Sequence, residues 1–238
     1  MPDLRYLDQK CLDALDAAYF QARRPFPWIN PDALLTAEAF QILHETLPDV
    51  SLFEQKFGAE RKHGQQSHDR YALDYRPDLP LDTVWHDFVA ELNSTAYQVF
   101  LRRMLGVRSV SLSYHWHYTP NGCSVSPHCD AKRKLGSQIF YFNTEQDWDS
   151  SWGGETLLLG AGHALKPDSA PGLEDFTRIT ASEVIGNRSL LFARTDHSWH
   201  AVREIHCPPQ ALRKVFIVVI ETGGVAAWWR RKRGPSRY

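Results

Sequence analysis

The sequence predicts an α/β protein with a double-stranded β-helix core (the jelly-roll or cupin-like architecture) braced by N-terminal helices. Over residues 1–106, apolar residues recur mainly at helical spacing. Over residues 107–224, eight short β runs alternate with turn signals. No internal repeat or second domain boundary is visible, so we expect a single domain, 1–238, that ends in a basic tail at 225–238.

The composition is that of an ordinary globular protein, with 43% hydrophobic and 23% charged residues. The formal net charge of −1 disfavours nucleic acid as a partner. The four cysteines form no C-x-x-C pair, and the first residues show no secretory signal. No run approaches the roughly 20 apolar residues that span a bilayer. We therefore expect a cytoplasmic protein without membrane association.

The N-terminal part is predicted to be mainly helical. Apolar residues recur at helical spacing over residues 4–19 and again over 36–47. Residues 58–80, rich in glycine, proline and charge, indicate an irregular or extended excursion. A longer helix is expected from about 82 to 105, where Gly106 suits the C-terminal end. These helices are expected to cover one sheet of the core.

The second part is predicted to contain eight strands. The first alternates apolar and polar side chains from Val110 to Tyr118, and we expect its apolar face to point inward. A short strand leads into His128, and the later runs span 138–142, 155–160, 184–185, 189–192, 198–202 and 215–220. Short strands separated by turns favour a double-sheet jelly roll.

The segment Ser124–Asp130 contains a His-x-Asp pair. Residues two apart share one face of a strand, so His128 and Asp130 can direct a nitrogen and an oxygen at one metal ion. His200, 70 residues after Asp130, is the candidate third ligand. His197 is a less favoured alternative, because it lies in a predicted loop. Two imidazoles and one carboxylate on one face suit iron(II) and leave three coordination positions open.

An arginine opens the most apolar run of the chain. Arg213 precedes the strand predicted at 215–220 and lies thirteen positions after His200. A guanidinium stays charged and binds a carboxylate through two parallel hydrogen bonds. Burying it without an anion is costly, so its position predicts an acidic ligand inside the core.

With these features, the last 130 or so residues resemble the catalytic core of the 2-oxoglutarate- and iron(II)-dependent oxygenases, nearest the prolyl 4-hydroxylase type. Besides the His-x-Asp pair, His200 and Arg213, segment 152–157 resembles the family's Gly-Gly-x-Leu strand. Tyr118 and Tyr141 match tyrosines that contact the co-substrate there, although composition alone fits plain core aromatics equally well. The step from His200 to Arg213 is longer than is usual in that family.

The resemblance implies an enzyme with iron(II) at His128, Asp130 and His200, which are also its catalytic residues. It implies 2-oxoglutarate at Arg213 with the two tyrosines, and ascorbate as a candidate reductant. The expected reaction uses dioxygen to hydroxylate an unactivated C–H bond, with 2-oxoglutarate converted to succinate and carbon dioxide. The expected substrate is a prolyl or other amino-acid side chain, in a peptide, a protein or a free amino acid.

Two other functions fit the sequence less well. Nucleic-acid oxidative demethylases carry a second arginine six residues after the co-substrate arginine, where this chain has Val219. A non-redox cupin-like metal-binding module would have no need of Arg213. Both are therefore disfavoured.

Other conspicuous residues have simpler interpretations. His115 and His117 share the polar face of the first strand, and we expect surface or inter-layer positions rather than a second metal site. Residues 132–134 are expected to form a solvated basic turn. The segment 228–237 joins two tryptophans to a basic cluster, which suits nucleic acid or an anionic membrane but by default indicates a solvated end.

Overall fold

The computed structural model describes residues 5–61 and 64–223. This part of the chain is a mixed α/β structure with two antiparallel sheets. No helix within it has the length and the apolar character needed to cross a bilayer. The basic tail expected at 225–238 lies outside the described residues.

Five α-helices lie in the described N-terminal residues, and each begins after a polar side chain that accepts a backbone N–H. The helices are α1 (Gln9–Ala14), α2 (Ala17–Ala22), α3 (Ala37–Glu45), α4 (Thr83–Leu92) and α5 (Thr95–Leu105). Helix α5 ends at Gly106, whose φ of 66° is the left-handed conformation that glycine adopts without strain. This end is where the sequence predicts it.

The single helix predicted over 82–105 is in fact two helices. The N–H of Asn93 bonds to carbonyls of the last turn of α4, and Ser94 Oγ accepts the N–H of Tyr97 at 3.3 Å to begin α5. Asparagine and serine compete with helical hydrogen bonds and favour helix ends. In the same way, Asp16 caps α2 and divides the helical pattern predicted over 4–19.

Eleven strands form the two sheets. They are β1 (Trp28–Ile29), β2 (Glu54–Lys56), β3 (Arg70–Asp74), β4 (Val110–Thr119), β5 (Val125–His128), β6 (Lys134–Tyr141), β7 (Thr156–Gly160), β8 (Arg178–Ala181), β9 (Ser189–Ala193), β10 (Trp199–Val202) and β11 (Arg213–Thr222). The seven-stranded sheet has the order β1-β9-β6-β11-β4-β3-β2, and the four-stranded sheet has the order β5-β10-β7-β8.

Some of these strands differ from the sequence-based expectation. Strands β1 to β3 lie in the part predicted as helical or irregular, and they extend both edges of the larger sheet. Strand β8 replaces the run predicted at 184–185, where Ile185 forms only an isolated bridge with Asn143. Because β8 is an edge strand with mostly exposed side chains, it carries no apolar pattern to detect.

The two faces of β4 are opposite to the expectation. Trp116 packs outward against the helices, with its ring centroid 5.0 Å from that of Trp85 in α4 and 4.8 Å from that of Phe216 in β11. We call this side, covered by helices, the outer face of the seven-stranded sheet. His115 and His117 lie on the other side, the inner face, which is turned towards the four-stranded sheet. Of the two positions expected for these histidines, surface or inter-layer, the structure shows the inter-layer one.

A second apolar cluster fills the space between the two sheets. It joins the inner face of the seven-stranded sheet to β7 through Ile139, Tyr141, Leu158, Leu190, Phe192 and Val215. This cluster occupies the side of the interior near β6 and β9. The side near β3 and β4 is lined by polar residues instead, and it borders the candidate site.

Candidate metal centre

Three predicted ligands meet at the end of the four-stranded sheet. His128 in β5 and His200 in β10 are cross-strand partners, and their ring centroids are 4.3 Å apart. Asp130 follows β5 by two residues. One ligand atom from each of the three lies within 4.8 Å of the other two. His197 is exposed on the loop before β10 and is not part of this cluster.

Two backbone carbonyls orient the imidazoles. Nδ1 of His128 lies 2.9 Å from the oxygen of Ser126, and Nδ1 of His200 lies 3.0 Å from the oxygen of Ser198. A carbonyl oxygen can only accept, so Nδ1 carries the proton in both rings. Each Nε2 therefore keeps its lone pair for a metal ion, which is the usual arrangement around metal-binding histidines.

Three donors bond to Asp130, two of them to its carboxylate. Lys134 Nζ donates to Oδ1 at 2.7 Å, and Ser137 Oγ donates to Oδ2 at 3.3 Å. Arg194 Nε donates to the main-chain oxygen of Asp130 at 3.2 Å. The solvated turn expected at 132–134 is therefore wrong for Lys134. It is wrong for Arg133 too, because this side chain pairs with Glu221 at 2.7 Å.

The charge states suit a metal ion. Burial raises the pKa of Asp130, but its charged surroundings, Lys134 first, outweigh burial, so the pKa lies below the usual carboxyl value. Burial lowers the pKa of both His128 and His200, so they are neutral at pH 7. Ligands must be deprotonated to bind. Two neutral imidazoles and one ionised carboxylate are the donors that non-haem iron(II) takes.

Arg213, at the start of β11, is buried with no carboxylate partner among the described residues. Its Nε donates to the oxygen of Gly154 at 2.5 Å, and its Nη2 donates to Thr156 Oγ1 at 3.3 Å. Burial lowers its pKa, while Tyr141 and Glu155 oppose the shift. A buried guanidinium held only by neutral acceptors fits an anionic ligand.

Tyr141 lies at the same polar end of the interior. The guanidinium carbon of Arg213 is 5.5 Å from the Tyr141 ring centroid. The Tyr141 hydroxyl is 2.8 Å from Thr156 Oγ1 and 3.1 Å from Ser182 Oγ. Burial raises the pKa of Tyr141, so the phenol stays protonated. The structure thus brings Tyr141 and Arg213 together, and adds Thr156 to them.

The Gly-Gly segment makes room for this arginine. Gly154 has a φ of 83°, and a Cβ there would lie 3.0 Å from Arg213 Cδ and 3.2 Å from Trp148 Cζ2. A side chain at this position would therefore be strained and would displace the arginine. This gives a physical reason for the glycine in the segment 152–157.

Tyr118 does not reach the site. Its hydroxyl donates to the oxygen of Pro48 at 3.0 Å, and its ring stacks on that of Phe53 with centroids 4.3 Å apart. It lies on the outer face of β4, so alternation puts its neighbour His117 on the inner face. The assignment of Tyr118 to the co-substrate is therefore corrected.

We expect Tyr118→Phe to leave the affinity for 2-oxoglutarate unchanged and to lower stability by about 1–3 kcal/mol, since it leaves the buried Pro48 carbonyl without its donor. A melting temperature lower by ~2–4 °C per kcal/mol would be measured. The paired 2-oxoglutarate titration is the control. A weakened co-substrate with an unchanged melting temperature would return Tyr118 to the site.

Further residues around the metal cluster have no signature in the sequence. The ring centroid of His68 is 4.7 Å from that of His128, and its Nε2 is 3.4 Å from Ser126 Oγ. Arg70, the first residue of β3, donates from Nε to His117 Nε2 at 3.1 Å. His68 and Arg70 both lie within the excursion expected at 58–80, where no motif marks them. They become visible only when β3 is placed beside β4.

The inner-face histidines make stability depend on pH. Burial, then Lys134 and Arg70, lower the pKa of His115 to about 3. This is below the unfolded value of about 6.5, so as the pH falls the unfolded state binds the proton first and stability is lost. From pH 7 to pH 5 we expect His115 to account for a loss of about 2 kcal/mol.

Melting temperatures of chelator-treated protein at the two pH values test this expectation. His115→Gln should reduce the drop between pH 7 and pH 5 by about 4–8 °C. His197→Gln, at an exposed position, is the matched control and should not change the drop. Equal drops in wild type and His115→Gln would contradict the expectation.

Comparisons with known proteins give structural relatives only. No protein-family model matches the sequence, and no curated protein matches it. A prolyl-4-hydroxylase from Pseudomonas putida superimposes with a TM-score of 0.62 at 14% identity, over 91% of this chain and 99% of that one. A Trichoplax adhaerens prolyl hydroxylase, solved with a hypoxia inducible factor peptide fragment, gives 0.62 at 13% identity, over 96% of this chain and 94% of that one.

A third similar structure is an oxidoreductase of the 2OG-Fe(II) oxygenase family from Burkholderia pseudomallei. Its TM-score is 0.59 at 15% identity, and the match covers 89% of this chain and 94% of that one. These likenesses span nearly the whole of each chain. The protein therefore has the fold of the prolyl 4-hydroxylase-like 2-oxoglutarate oxygenases.

Proposed function

We propose that the chain is an iron(II)- and 2-oxoglutarate-dependent dioxygenase. It hydroxylates an unactivated C–H bond of a prolyl or other amino-acid side chain, in a peptide, a protein or a free amino acid. The observation that carries this proposal is Arg213, a buried guanidinium without a carboxylate partner in the described residues, in the same interior as the His128, Asp130 and His200 cluster. A metal-binding module without a co-substrate gives no reason to bury that charge.

The order of the strands supports a double-stranded β-helix core. Among the eight strands from β4 onward, the larger sheet takes β9-β6-β11-β4 and the smaller one takes β5-β10-β7-β8. The chain therefore crosses between the two sheets as it proceeds, which is the winding of a jelly roll. This arrangement puts the ends of β5, β10 and β11 around one interior.

In the proposed enzyme, Nε2 of His128, Nε2 of His200 and a carboxylate oxygen of Asp130 hold iron(II). Iron(II) held there would supply the activation of dioxygen, in a reaction that would convert 2-oxoglutarate to succinate and carbon dioxide and place the second oxygen atom on the substrate as a hydroxyl. Lys134 and Ser137 keep the carboxylate oriented towards the metal.

The polar end of the interior receives the distal carboxylate of 2-oxoglutarate. The Arg213 guanidinium supplies charge and parallel N–H donors, and the hydroxyls of Tyr141 and Thr156 add neutral donors. The apolar cluster between the sheets keeps water from this end. Phe192, whose ring centroid is 4.7 Å from that of His200, extends the apolar wall to the metal ligands.

The similar structures support the proposed substrate class. Two of them are prolyl hydroxylases, and one of those was solved with a peptide. An amino-acid side chain is therefore the first class to screen.

The test is conversion of 2-oxoglutarate to succinate with iron(II), ascorbate as the reductant, and dioxygen, screened against peptides and free amino acids. Slow conversion without a substrate establishes the reaction class, and stimulated conversion identifies the substrate. Asp130→Ala, which removes one donor, is the matched inactive control. Absence of both succinate formation and 2-oxoglutarate binding in the iron-loaded wild type would overturn the proposal.

A further inference from the structure

A second group of positive charges lies beside the metal cluster, on the side away from β6 and β9. Arg70 bonds to the backbone oxygen of His68, and Arg61 lies within electrostatic range of the His68 imidazole, whose ring packs on that of His128 with centroids 4.7 Å apart. Arg61 also lies within electrostatic range of Asp130. The proposed reaction assigns no role to Arg61 or Arg70.

Arg70 is held in place without being neutralised. Its Nε donates to His117 Nε2 at 3.1 Å, and its Nη1 donates to the backbone oxygen of His68 at 2.6 Å. Burial and then Arg70 itself lower the pKa of His117, so this imidazole is neutral at pH 7. Both acceptors are therefore uncharged. They fix the direction of the guanidinium and leave its full positive charge.

Arg61 is held in a similar way. Its Nε and Nη2 are 3.4 Å and 3.3 Å from the amide oxygen of Gln65, which is also a neutral acceptor. Gln65 in turn donates to the backbone oxygen of Ser169 at 3.1 Å. Like Arg70, Arg61 is only partly exposed, and burial lowers the pKa of both.

Asp74 and Asp69 lie within electrostatic range of Arg70, and Asp130 lies within range of Arg61, but no hydrogen bond or ion pair joins these acids to the two guanidiniums in the described residues. Asp130 pairs with Lys134 at 2.7 Å, and Asp69 accepts from the N–H of Gly58 at 2.8 Å. Within the described residues, neither Arg61 nor Arg70 forms an ion pair with an acid. Nη2 of Arg70 and Nη1 of Arg61 make no hydrogen bond to those residues either. Two oriented guanidiniums with unused donors make an anion-binding site.

The co-substrate does not account for this site. In the larger sheet, β4 lies between β3, which carries Arg70, and β11, which carries Arg213. Neighbouring strands are about 4.8 Å apart, so the backbones at the two arginines are separated by about 10 Å. Arg213 has its own polar surroundings at Tyr141 and Thr156. An anion from a second molecule therefore fits Arg70 better than the co-substrate does.

We propose that Arg70, together with Arg61, binds a carboxylate of the primary substrate, so that the enzyme acts on an acidic amino acid or an amino acid with a free α-carboxylate. The inference rests on the proposed function and deepens it. The substrate is thereby specified as a carboxylate-bearing amino acid, with its carboxylate bound beside His68.

The test uses three probes of equal size that differ in where they are charged. N-acetyl-aspartic acid amide carries a side-chain carboxylate, N-acetyl-asparagine carries an α-carboxylate, and N-acetyl-asparagine amide is neutral. Each is titrated into the full-length protein with iron(II) and saturating 2-oxoglutarate under nitrogen, so that Arg213 is already occupied. Binding is measured by calorimetry and by the shift of the metal-to-ligand absorption band.

We expect one anionic probe to bind at least ~10-fold more tightly than the neutral probe, from a hydrogen bond between charged groups. The anionic probe that binds more tightly shows whether the site takes a side-chain carboxylate or an α-carboxylate. Arg70→Gln should remove the preference and Arg61→Gln should reduce it, with 2-oxoglutarate affinity unchanged in both. Arg76→Gln is the matched control, since Arg76 is exposed and pairs only with Asp78 at 3.4 Å; it should keep the preference.

Equal binding of the three probes by the wild type would overturn the inference. So would a preference that survives both Arg70→Gln and Arg61→Gln. Loss of 2-oxoglutarate affinity in Arg70→Gln would assign Arg70 to the co-substrate instead. If Arg70→Gln does not fold by circular dichroism, Arg61→Gln decides, because among the described residues the Arg61 side chain bonds only to that of Gln65. If the wild type binds no 2-oxoglutarate, the proposed function fails, and the preference measured with iron(II) alone still tests the arginines.

Discussion

His200→Ala is expected to abolish stoichiometric iron(II) binding and succinate formation while the fold remains intact. The change removes one of three donors whose ligand atoms lie within 4.8 Å of one another. Loss of a metal ligand should lower the affinity for iron(II) by more than the ~10–100-fold that follows loss of a residue hydrogen-bonded to a ligand. Strand β10 is paired with both β5 and β7, so the metal is not needed to hold it. Calorimetry with iron(II) and circular dichroism measure the two effects.

The matched control is His197→Ala, three residues earlier on the exposed loop. It should bind one iron(II) and turn over normally. His128→Ala should behave as His200→Ala does, because the two imidazoles are cross-strand partners. Full iron stoichiometry in His200→Ala, with a loss in His197→Ala, would contradict the assigned ligand set.

The metal cluster could be predicted because its geometry is largely local. His128 and Asp130 are two positions apart, and alternation along an extended chain is enough to place them on one side. His200 is distant in sequence, and its position 70 residues after Asp130, together with the family resemblance, indicates it rather than local geometry. The serines at 126 and 198 add no sequence signal, because each Nδ1 bonds to a backbone carbonyl oxygen, which any residue supplies.

Which face of β4 is turned towards the interior could not be predicted from the same kind of pattern. Alternation shows that Tyr118 and Trp116 share one face, but it does not show which face is inner, because both faces of this sheet are covered. The helices take the larger aromatic set, including Trp116 against Trp85 at 5.0 Å. Because side chains alternate along the strand, assigning the wrong face as the inner one places Tyr118 in the interior, where the structure has its neighbour His117.

The second group of positive charges, Arg61 and Arg70, could not be predicted, because its placement depends on β3, and no pattern in the sequence indicates that strand. Strand β3 contains one charged residue at each end, Arg70 and Asp74, and lacks a clear apolar alternation. Its place beside β4 comes from tertiary pairing, with Ala72 opposite His117. Lys134 illustrates the same limit, since only the turn after Asp130 brings its ammonium group to that carboxylate.

Arg213→Leu is expected to weaken 2-oxoglutarate severely while iron(II) binding stays near normal, because no metal donor is touched. A hydrogen bond to a charged group contributes ~1.5–3 kcal/mol, which corresponds to about a 10- to 150-fold change in affinity, and an unpaired buried anion costs more. The affinity is measured under nitrogen from the metal-to-ligand absorption band.

Arg213→Lys separates charge from geometry. Lysine keeps the positive charge but loses the planar pair of N–H donors, so its affinity should fall between those of wild type and Arg213→Leu. Tyr141→Phe removes one neutral donor and should have a smaller effect than either. As the matched ligand control, 2-oxobutyrate, which lacks the distal carboxylate, should bind wild type and Arg213→Leu equally.

Unchanged 2-oxoglutarate affinity in Arg213→Leu would remove this arginine from the site and require another cation. Lys214 and Arg203 are the neighbouring candidates in the sequence, but both are already paired, with Asp147 at 2.8 Å and Glu155 at 3.1 Å. Arg70, which has no acidic partner among the described residues, would then be tested next. The titration of Arg213→Leu therefore decides which of two unpaired interior guanidiniums holds the co-substrate, and which one remains for the substrate.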